Sequence, residues 1–374
     1  MPAMPAMPAM PAIDAADAPA RGAGRTRFLA ACRREAVDAT PVWFMRQAGS
    51  ALPGHRALRE RYSVLELAKT PELAAALAVM PVKDLGVDAA VLYADIMLPL
   101  ERMGIEVELL NTGPAIGNPV RTRADVERLR LIEPAEDVPF VLDAIRIIRA
   151  ELGDRAGIIG FSGGLFTLAG YMIEGGPSRE FGRAKALMYR EPDTWDLLMS
   201  KLATVVIRYL RAQIEAGVDA VQLFDSWVGA LNPSDYRRYV QPRTRAIFDA
   251  IKETGVPSIH FGTGVAHLLE DMAAAGGDVL SVDARVLLDE AWARIGHDKG
   301  IQGNLDSTRL LAGWDATEEG ARNVLRRAGG RPGHIFNLGH AILPDTDPAL
   351  LARLVELAHE TTVSADVEPP HHPG

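Results

Sequence analysis

From residue 28 onward, apolar runs of four or five residues alternate with longer stretches whose apolar positions recur every three or four residues. The short runs have the length of buried strands, and the longer ones have the period of amphipathic helices. Strands are predicted at 42–45, 89–93, 157–161, 220–224, 258–261, 279–282, 300–303 and 335–338. After Pro192, residues Leu198, Leu202, Val205, Val206 and Tyr209 fall on one helical face. Pro192 suits the start of that helix and Gly217 its end. Gly86, Gly217, Gly255 and Gly277 each stand shortly before a strand, where a helix-ending glycine belongs. Strand–helix units in this number predict one α/β domain, a (β/α)8 TIM barrel over residues 26–362. An open doubly wound sheet is the competing arrangement, but no glycine-rich phosphate fingerprint follows the first strand.

Two segments fall outside this pattern. Residues 1–25 open with repeats of Met-Pro-Ala, whose recurrent proline forbids a helix, and are expected to form a disordered tail. They lack the apolar core of a secretory signal. Residues 363–374, ending EPPHHPG, are expected to be a flexible tail in which His371 and His372 are incidental.

Composition narrows the function. The chain of 374 residues is 48% hydrophobic, enough for a large buried core. No apolar run approaches the ~20 residues of a membrane span, so a soluble, cytoplasmic protein is expected. One cysteine, Cys32, excludes an internal disulfide framework and a cysteine-rich metal site. The net charge of −9 disfavours nucleic acid as a partner and suits a small-molecule site. An anionic ligand would need a local basic cluster to capture it against the field of the whole protein.

Such a cluster follows the first predicted strand, with Arg46, His55, Arg56, Arg59 and Arg61 in PVWFMRQAGSALPGHRALRER. It reads either as a binder of carboxylates or phosphates or as a solvated helix face. The other strand ends bear on the choice. The second runs into Asp95, the third into Ser162-Gly163-Gly164, the fourth into Asp225-Ser226 and the fifth into His260 and Gly262. The sixth ends at Asp283, the seventh at Asn304 and Asp306, and the eighth at Gly339-His340. In a barrel these groups share one rim, the rim that carries active sites.

Asp95 precedes the apolar run Ile96-Met97-Leu98, where an unpaired carboxylate is costly. It reads as a helix cap, or as an acceptor for N–H donors and a counter-charge for a cationic intermediate. Capping, or support of neighbouring site residues, explains Asp225 and Asp306. Tyr171 reads equally as core or as cleft wall, and His340 as structural or functional. Gly163 and Gly164 would let a ligand approach backbone amides. Ser226 has no neighbouring base, and His260 lacks the companions of a zinc site.

The ordered blocks PVWFMRQAG (41–49), LAKTPELAA (67–75), GVDAAVLYADIMLPLE (86–101) and NPVRT (118–122) resemble the uroporphyrinogen decarboxylase family. The likeness continues through GFSGGLFTLAGYMIEGG (160–176), LFDSWVGAL (223–231), QGNLD (302–306) and FNLGHAILPDTDP (336–348), and so spans residues 28–362. It implies a homodimeric barrel that needs neither cofactor nor metal. The implied reaction removes CO2 from the four acetate arms of uroporphyrinogen to give coproporphyrinogen. By position, Arg46 and Arg59 resemble the family's carboxylate-binding cations, and Asp95 the aspartate that gathers the pyrrole N–H groups. Tyr171, Ser226 and His340 resemble the polar wall.

The chain departs from the family pattern near that cleft. Ser50 stands where the family usually has a second arginine, and Ala51 where it has an aromatic ring. Leu165-Phe166 replaces a frequent Pro-Trp, and Ala284 follows Asp283 where tryptophan is common. These changes leave room for a divergent paralogue, or for a protein that only binds a tetrapyrrole, as alternatives to the decarboxylase. Cobalamin-dependent methyltransferases share the fold but use a zinc–thiolate site, for which Cys32, before the first strand, is misplaced.

Overall fold

The computed structural model describes residues 23–110 and 113–361. The two expected tails lie almost wholly outside the described residues, although residues 23–25 open the helix Ala23–Cys32 rather than ending a tail. Nine strands are present among the described residues: β1 (Ala89–Val91), β2 (Val107–Leu110), β3 (Gly113–Ile116), β4 (Gly157–Gly163), β5 (Ala220–Asp225), β6 (Ser258–Gly262), β7 (Val279–Ser281), β8 (Gly300–Leu305) and β9 (His334–Leu338). Seven of them form one parallel sheet in the order β1-β4-β5-β6-β7-β8-β9, while β2 and β3 make a separate antiparallel hairpin. The hairpin, which the sequence pattern does not announce, docks through Ile116 N–H onto the Gly175 carbonyl (2.9 Å).

The first predicted strand is a correction. Residues 42–45 form no regular strand but a single parallel bridge, Val42 to Phe336. On the β9 side, Phe336 N–H donates to the Pro41 carbonyl (2.8 Å) and Trp43 N–H to the Phe336 carbonyl (3.4 Å). On the β1 side, one backbone bond remains, from Asp88 N–H to the Val42 carbonyl (2.8 Å), and side chains take the next N–H groups of the segment. Val42 N–H donates to Asp88 Oδ2 (2.7 Å) and Phe44 N–H to Gln47 Oε1 (2.9 Å). The extended segment thus occupies the eighth position between β9 and β1, and the sheet closes into a TIM barrel.

Alternation along the strands divides the core in two. Inward-facing Trp43, Met45, Ala89, Ile159, Ala220, Ile259, Val279 and Ile335 pack with Phe28, Ala31 and Cys32 of the helix Ala23–Cys32. That helix lies against the strand starts: a Cβ at Gly157 would stand 2.7 Å from the Phe28 ring, so only glycine fits there. Cys32 is therefore a buried interior residue, its thiol pushed well above the ordinary value by desolvation. Polar side chains inside the barrel satisfy one another: Trp43 Nε1 donates to Gln302 Oε1 (2.8 Å), and Gln302 Nε2 to Ser281 Oγ (2.8 Å). The larger core lies between sheet and helices. The helix Pro192–Ala216 buries Leu198, Leu202, Val205, Val206 and Tyr209 against it, as the spacing predicts, and Gly217 ends it at φ 118°.

The end of the barrel where the strands begin carries a recurrent device. Asp88, Asp219 and Asp278 each directly precede a strand and each accept a backbone N–H from the neighbouring segment. The donors are Val42 (2.7 Å), Ile158 (2.8 Å) and Ser258 (2.8 Å). Asp88 also holds Arg27 (2.7 Å) and His359 Nε2 (2.7 Å), and Asp219 pairs with Arg25 (2.9 Å) and Arg149. Charge-assisted bonds to backbone N–H groups fix the stagger of neighbouring strands at this end.

Candidate active site at the barrel mouth

Arg46 sits at the tip of a tight turn with φ 58°, a left-handed value unusual for a side chain other than glycine. The turn is tied on both flanks. Gln47 Nε2 donates to the Ala89 carbonyl (2.8 Å), and Met45 N–H donates to Asn337 Oδ1 (3.2 Å). Strain of this kind persists only where the surroundings over-determine the backbone. Its result is an exposed guanidinium that makes no hydrogen bond and no ion pair among the described residues.

Asp95 follows β1 on the same rim. Its Oδ1 accepts the Met97 N–H (2.8 Å) in a local turn ahead of the helix Leu98–Arg102, whose N-cap is Met97 with no side-chain cap bond, so Asp95 does not cap that helix. The other oxygen has no hydrogen-bond donor among the described residues. Desolvation by the surrounding walls raises the Asp95 pKa, opposed by the Met97 N–H and by the charge of nearby Arg46. Tyr171, half-buried on the helix Leu165–Glu174, stacks on Trp227 (centroids 4.0 Å apart) and leaves its hydroxyl without a bond. Burial, and then the Asp95 charge, push this phenol up to about 12.

His340 is exposed after β9. Desolvation on its inner side, then the Arg46 and Arg285 charges, lower its pKa against the pull of Asp283. Arg46, Asp95, Tyr171 and His340, four of the six residues singled out from the sequence, therefore share one electrostatic neighbourhood. Ser226 ends β5 beside Trp227, with its carbonyl accepting the Thr263 hydroxyl. Arg59 stands apart from this group and donates to the Tyr62 carbonyl (2.7 Å).

The basic cluster after Arg46 does not act as one unit. Arg56 donates to the Ser50 and Ala51 carbonyls (both 2.9 Å), which fastens the loop instead of freeing a cation. His55 is buried; desolvation, then Arg59 and Arg56, lower its pKa and keep it neutral near pH 7. These groups line a recess that opens at Ser50 and also includes Glu60. Tyr93, whose hydroxyl meets His55 Nε2 at 3.4 Å, joins the recess to the Asp95 side. Sequence inspection passes over Tyr93, although its place two residues before Asp95 was a usable signal.

Four further expectations are corrected or resolved. Gly163 and Gly164 do not open the backbone to a ligand. Cβ atoms there would stand 2.5 Å from Leu168 and 2.3 Å from Asp225, and the Gly164 N–H is spent on the Phe224 carbonyl (2.7 Å). Asp225 is fully buried, with Oδ1 accepting the Thr167 N–H (2.9 Å) and hydroxyl (2.7 Å), so it supports the loop; desolvation raises its pKa to about 6. His260 lies behind the sheet against Phe248 (4.8 Å), away from the mouth. Asp306 caps the short helix Ser307–Ala312, as its setting suggests. The floor of the mouth is aromatic: Phe161, Phe224 and Phe261 stand edge to face at 5.5 Å.

The sequence matches the family model described as Uroporphyrinogen decarboxylase (URO-D) over residues 23–361. It is 52% identical to a uroporphyrinogen decarboxylase of Carboxydothermus hydrogenoformans, covering 89% of this chain and 95% of that protein. It is also 52% identical to one from Streptomyces coelicolor, covering 90% and 94%. Among solved structures it resembles a methyltransferase from Methanosarcina mazei, with a TM-score of 0.75 at 24% identity over 90% of this chain and 98% of the other, a likeness of fold. With model and relatives in agreement over the whole barrel, the chain belongs to the uroporphyrinogen decarboxylase family.

Proposed function

We infer that this protein is a carboxy-lyase that converts uroporphyrinogen III to coproporphyrinogen III by removing CO2 from four acetate arms. The observation that carries the reading is the Asp95 carboxylate, one oxygen free, facing Arg46 and Tyr171 at the mouth of a barrel of this family. Arg46, exposed and without an ion pair among the described residues, would meet the need of an acidic chain for a local cation to hold an octacarboxylate.

Losing CO2 from a pyrrole acetate requires somewhere for the C–C bonding pair to go. Protonation of the pyrrole ring supplies that sink, and the pair flows into the ring as CO2 departs. A second proton delivered to the resulting methylene carbon makes the methyl group, and loss of the first proton restores the pyrrole. Each cycle consumes one proton in total. In this reading the free Asp95 oxygen accepts pyrrole N–H groups and offsets the ring's positive charge, a fixed counter-charge in a partly desolvated site. Arg46 orients substrate carboxylates and relays a proton through water. Tyr171, un-ionised at neutral pH, and His340 contribute hydrogen bonds along the wall, with Ser226 and Arg59 at its edges. Cys32, in the interior near the strand starts, supplies no ligand for a thiolate-metal reaction at the mouth. A cytoplasmic location and a homodimer belong to the same reading, on the strength of the family resemblance.

The test is an anaerobic incubation with uroporphyrinogen III, counting the carboxylates left on the oxidised products by chromatography. Four-carboxylate product is expected. Unchanged substrate from folded protein would sink the reading and favour a binder or a paralogue with another substrate.

A further inference from the structure

Resting on that reading, we propose that Arg285 is a second carboxylate-binding residue of the cleft, which forms a cationic edge with Arg46 on either side of His340. The backbone around it is rigidly held. Asp283 accepts the Gly264 N–H (2.6 Å) and the Arg285 N–H (3.0 Å), and Asn304 Nδ2 donates to the carbonyls of Asp283 (2.9 Å) and Val286 (2.7 Å). Gly339, just before His340, packs directly on Ala284: a Cβ there would stand 2.3 Å from the Ala284 nitrogen.

From this fixed loop the Arg285 side chain projects with 73% of its surface exposed. Its guanidinium lies over left-handed Gly264 (φ 65°), where a Cβ would come within 2.8 Å of Nη1. Among the described residues its ion-pair partner is Asp283 at 3.7 Å, each of whose oxygens already accepts a backbone N–H. A guanidinium with no hydrogen-bond acceptor among the described residues, beside a histidine and on the same rim as Arg46, is equipped to grip an incoming carboxylate in bidentate fashion. The chain has serine at position 50, and Arg56 is spent on the Ser50 and Ala51 carbonyls, which makes a second uncommitted cation on the rim, Arg285, the more useful.

The test compares Arg285→Met and Arg285→Lys with the wild-type protein in anaerobic turnover of uroporphyrinogen III, with thermal melts as a check on folding. Loss of one exposed charge-assisted contact predicts a KM roughly tenfold higher in Arg285→Met, with kcat within twofold. Arg285→Lys should recover most of the loss. An unchanged KM in a normally melting Arg285→Met protein overturns the proposal. If the wild-type protein turns over nothing, the decarboxylase reading fails separately. The arginine is then judged by fluorescence titration with uroporphyrin, an octacarboxylate, and with coproporphyrin, a tetracarboxylate. A tenfold loss confined to uroporphyrin in Arg285→Met supports the role, and equal affinity overturns it.

Discussion

Aspartates stand at both ends of this barrel, in opposite chemical circumstances. Near the strand starts, Asp88 accepts from Val42, Arg27 and His359, and Asp219 from Ile158, Arg25 and Arg149. Their bonding is directed inward, to backbone and to buried or half-buried cations. At the mouth, Asp95 satisfies one oxygen locally and, among the described residues, keeps the other open beside Arg46, which has no ion pair there. Burial of an acid is tolerated in both places, but only the first place uses the charge to hold the fold. The second keeps it in reserve, which raises its pKa and leaves the energy of pairing to be released on a ligand.

The comparison can be broken by exchanging which property each acid controls. Asp95→Ala should lower kcat/KM by roughly a thousandfold, the scale of a lost preorganised electrostatic partner, while the melting temperature stays nearly constant. An Asp95→Ala enzyme with near-wild-type turnover would remove this residue from the chemistry. Asp88→Ala should do the reverse. Val42 N–H and His359 lose their acceptor and Arg27 keeps only Asp38, which should cost about 1–3 kcal/mol in a denaturant titration, with turnover per folded molecule little changed. Equal stability would mean the strand-start acids are ornamental.

A smaller effect is expected at position 50. Adding a guanidinium by Ser50→Arg should lower KM for uroporphyrinogen by up to about tenfold. No change would mean that the cations already present satisfy the substrate. The smallest effect concerns Asp225. Its pKa near 6 in the folded protein lies above the ordinary carboxylate value, so folding favours the protonated form. Its burial cost is therefore fullest at pH 7 and above, and is relieved as pH falls through 6 towards 4. Relative to Asp225→Asn, the wild-type melting temperature should rise over that interval. Parallel pH profiles for the two proteins would refute the shift.

Much of the architecture was legible in the order of residues. Apolar runs of strand length located all seven paired strands, and the helix Pro192–Ala216 buried the face that its spacing predicts, because burial periodicity is a local property. Charged or polar groups after the runs pointed to the correct rim, since chain direction is common to all parallel strands. Family likeness carried function further than periodicity could. What remained hidden depended on partners distant in sequence. Residues 42–45 look like a strand, but beyond one backbone bond from Asp88 the Asp88 and Gln47 side chains take the N–H groups of the segment, and nothing within it announces that. Gly163 and Gly164 look like ligand-facing glycines, but the space they leave is filled by Leu168 and Asp225. Arg46, Arg56 and Arg285 have the same side chain, and sequence cannot say which is spent. Tertiary structure decided it, because a guanidinium's availability depends on whether folding brings an acceptor within hydrogen-bond reach.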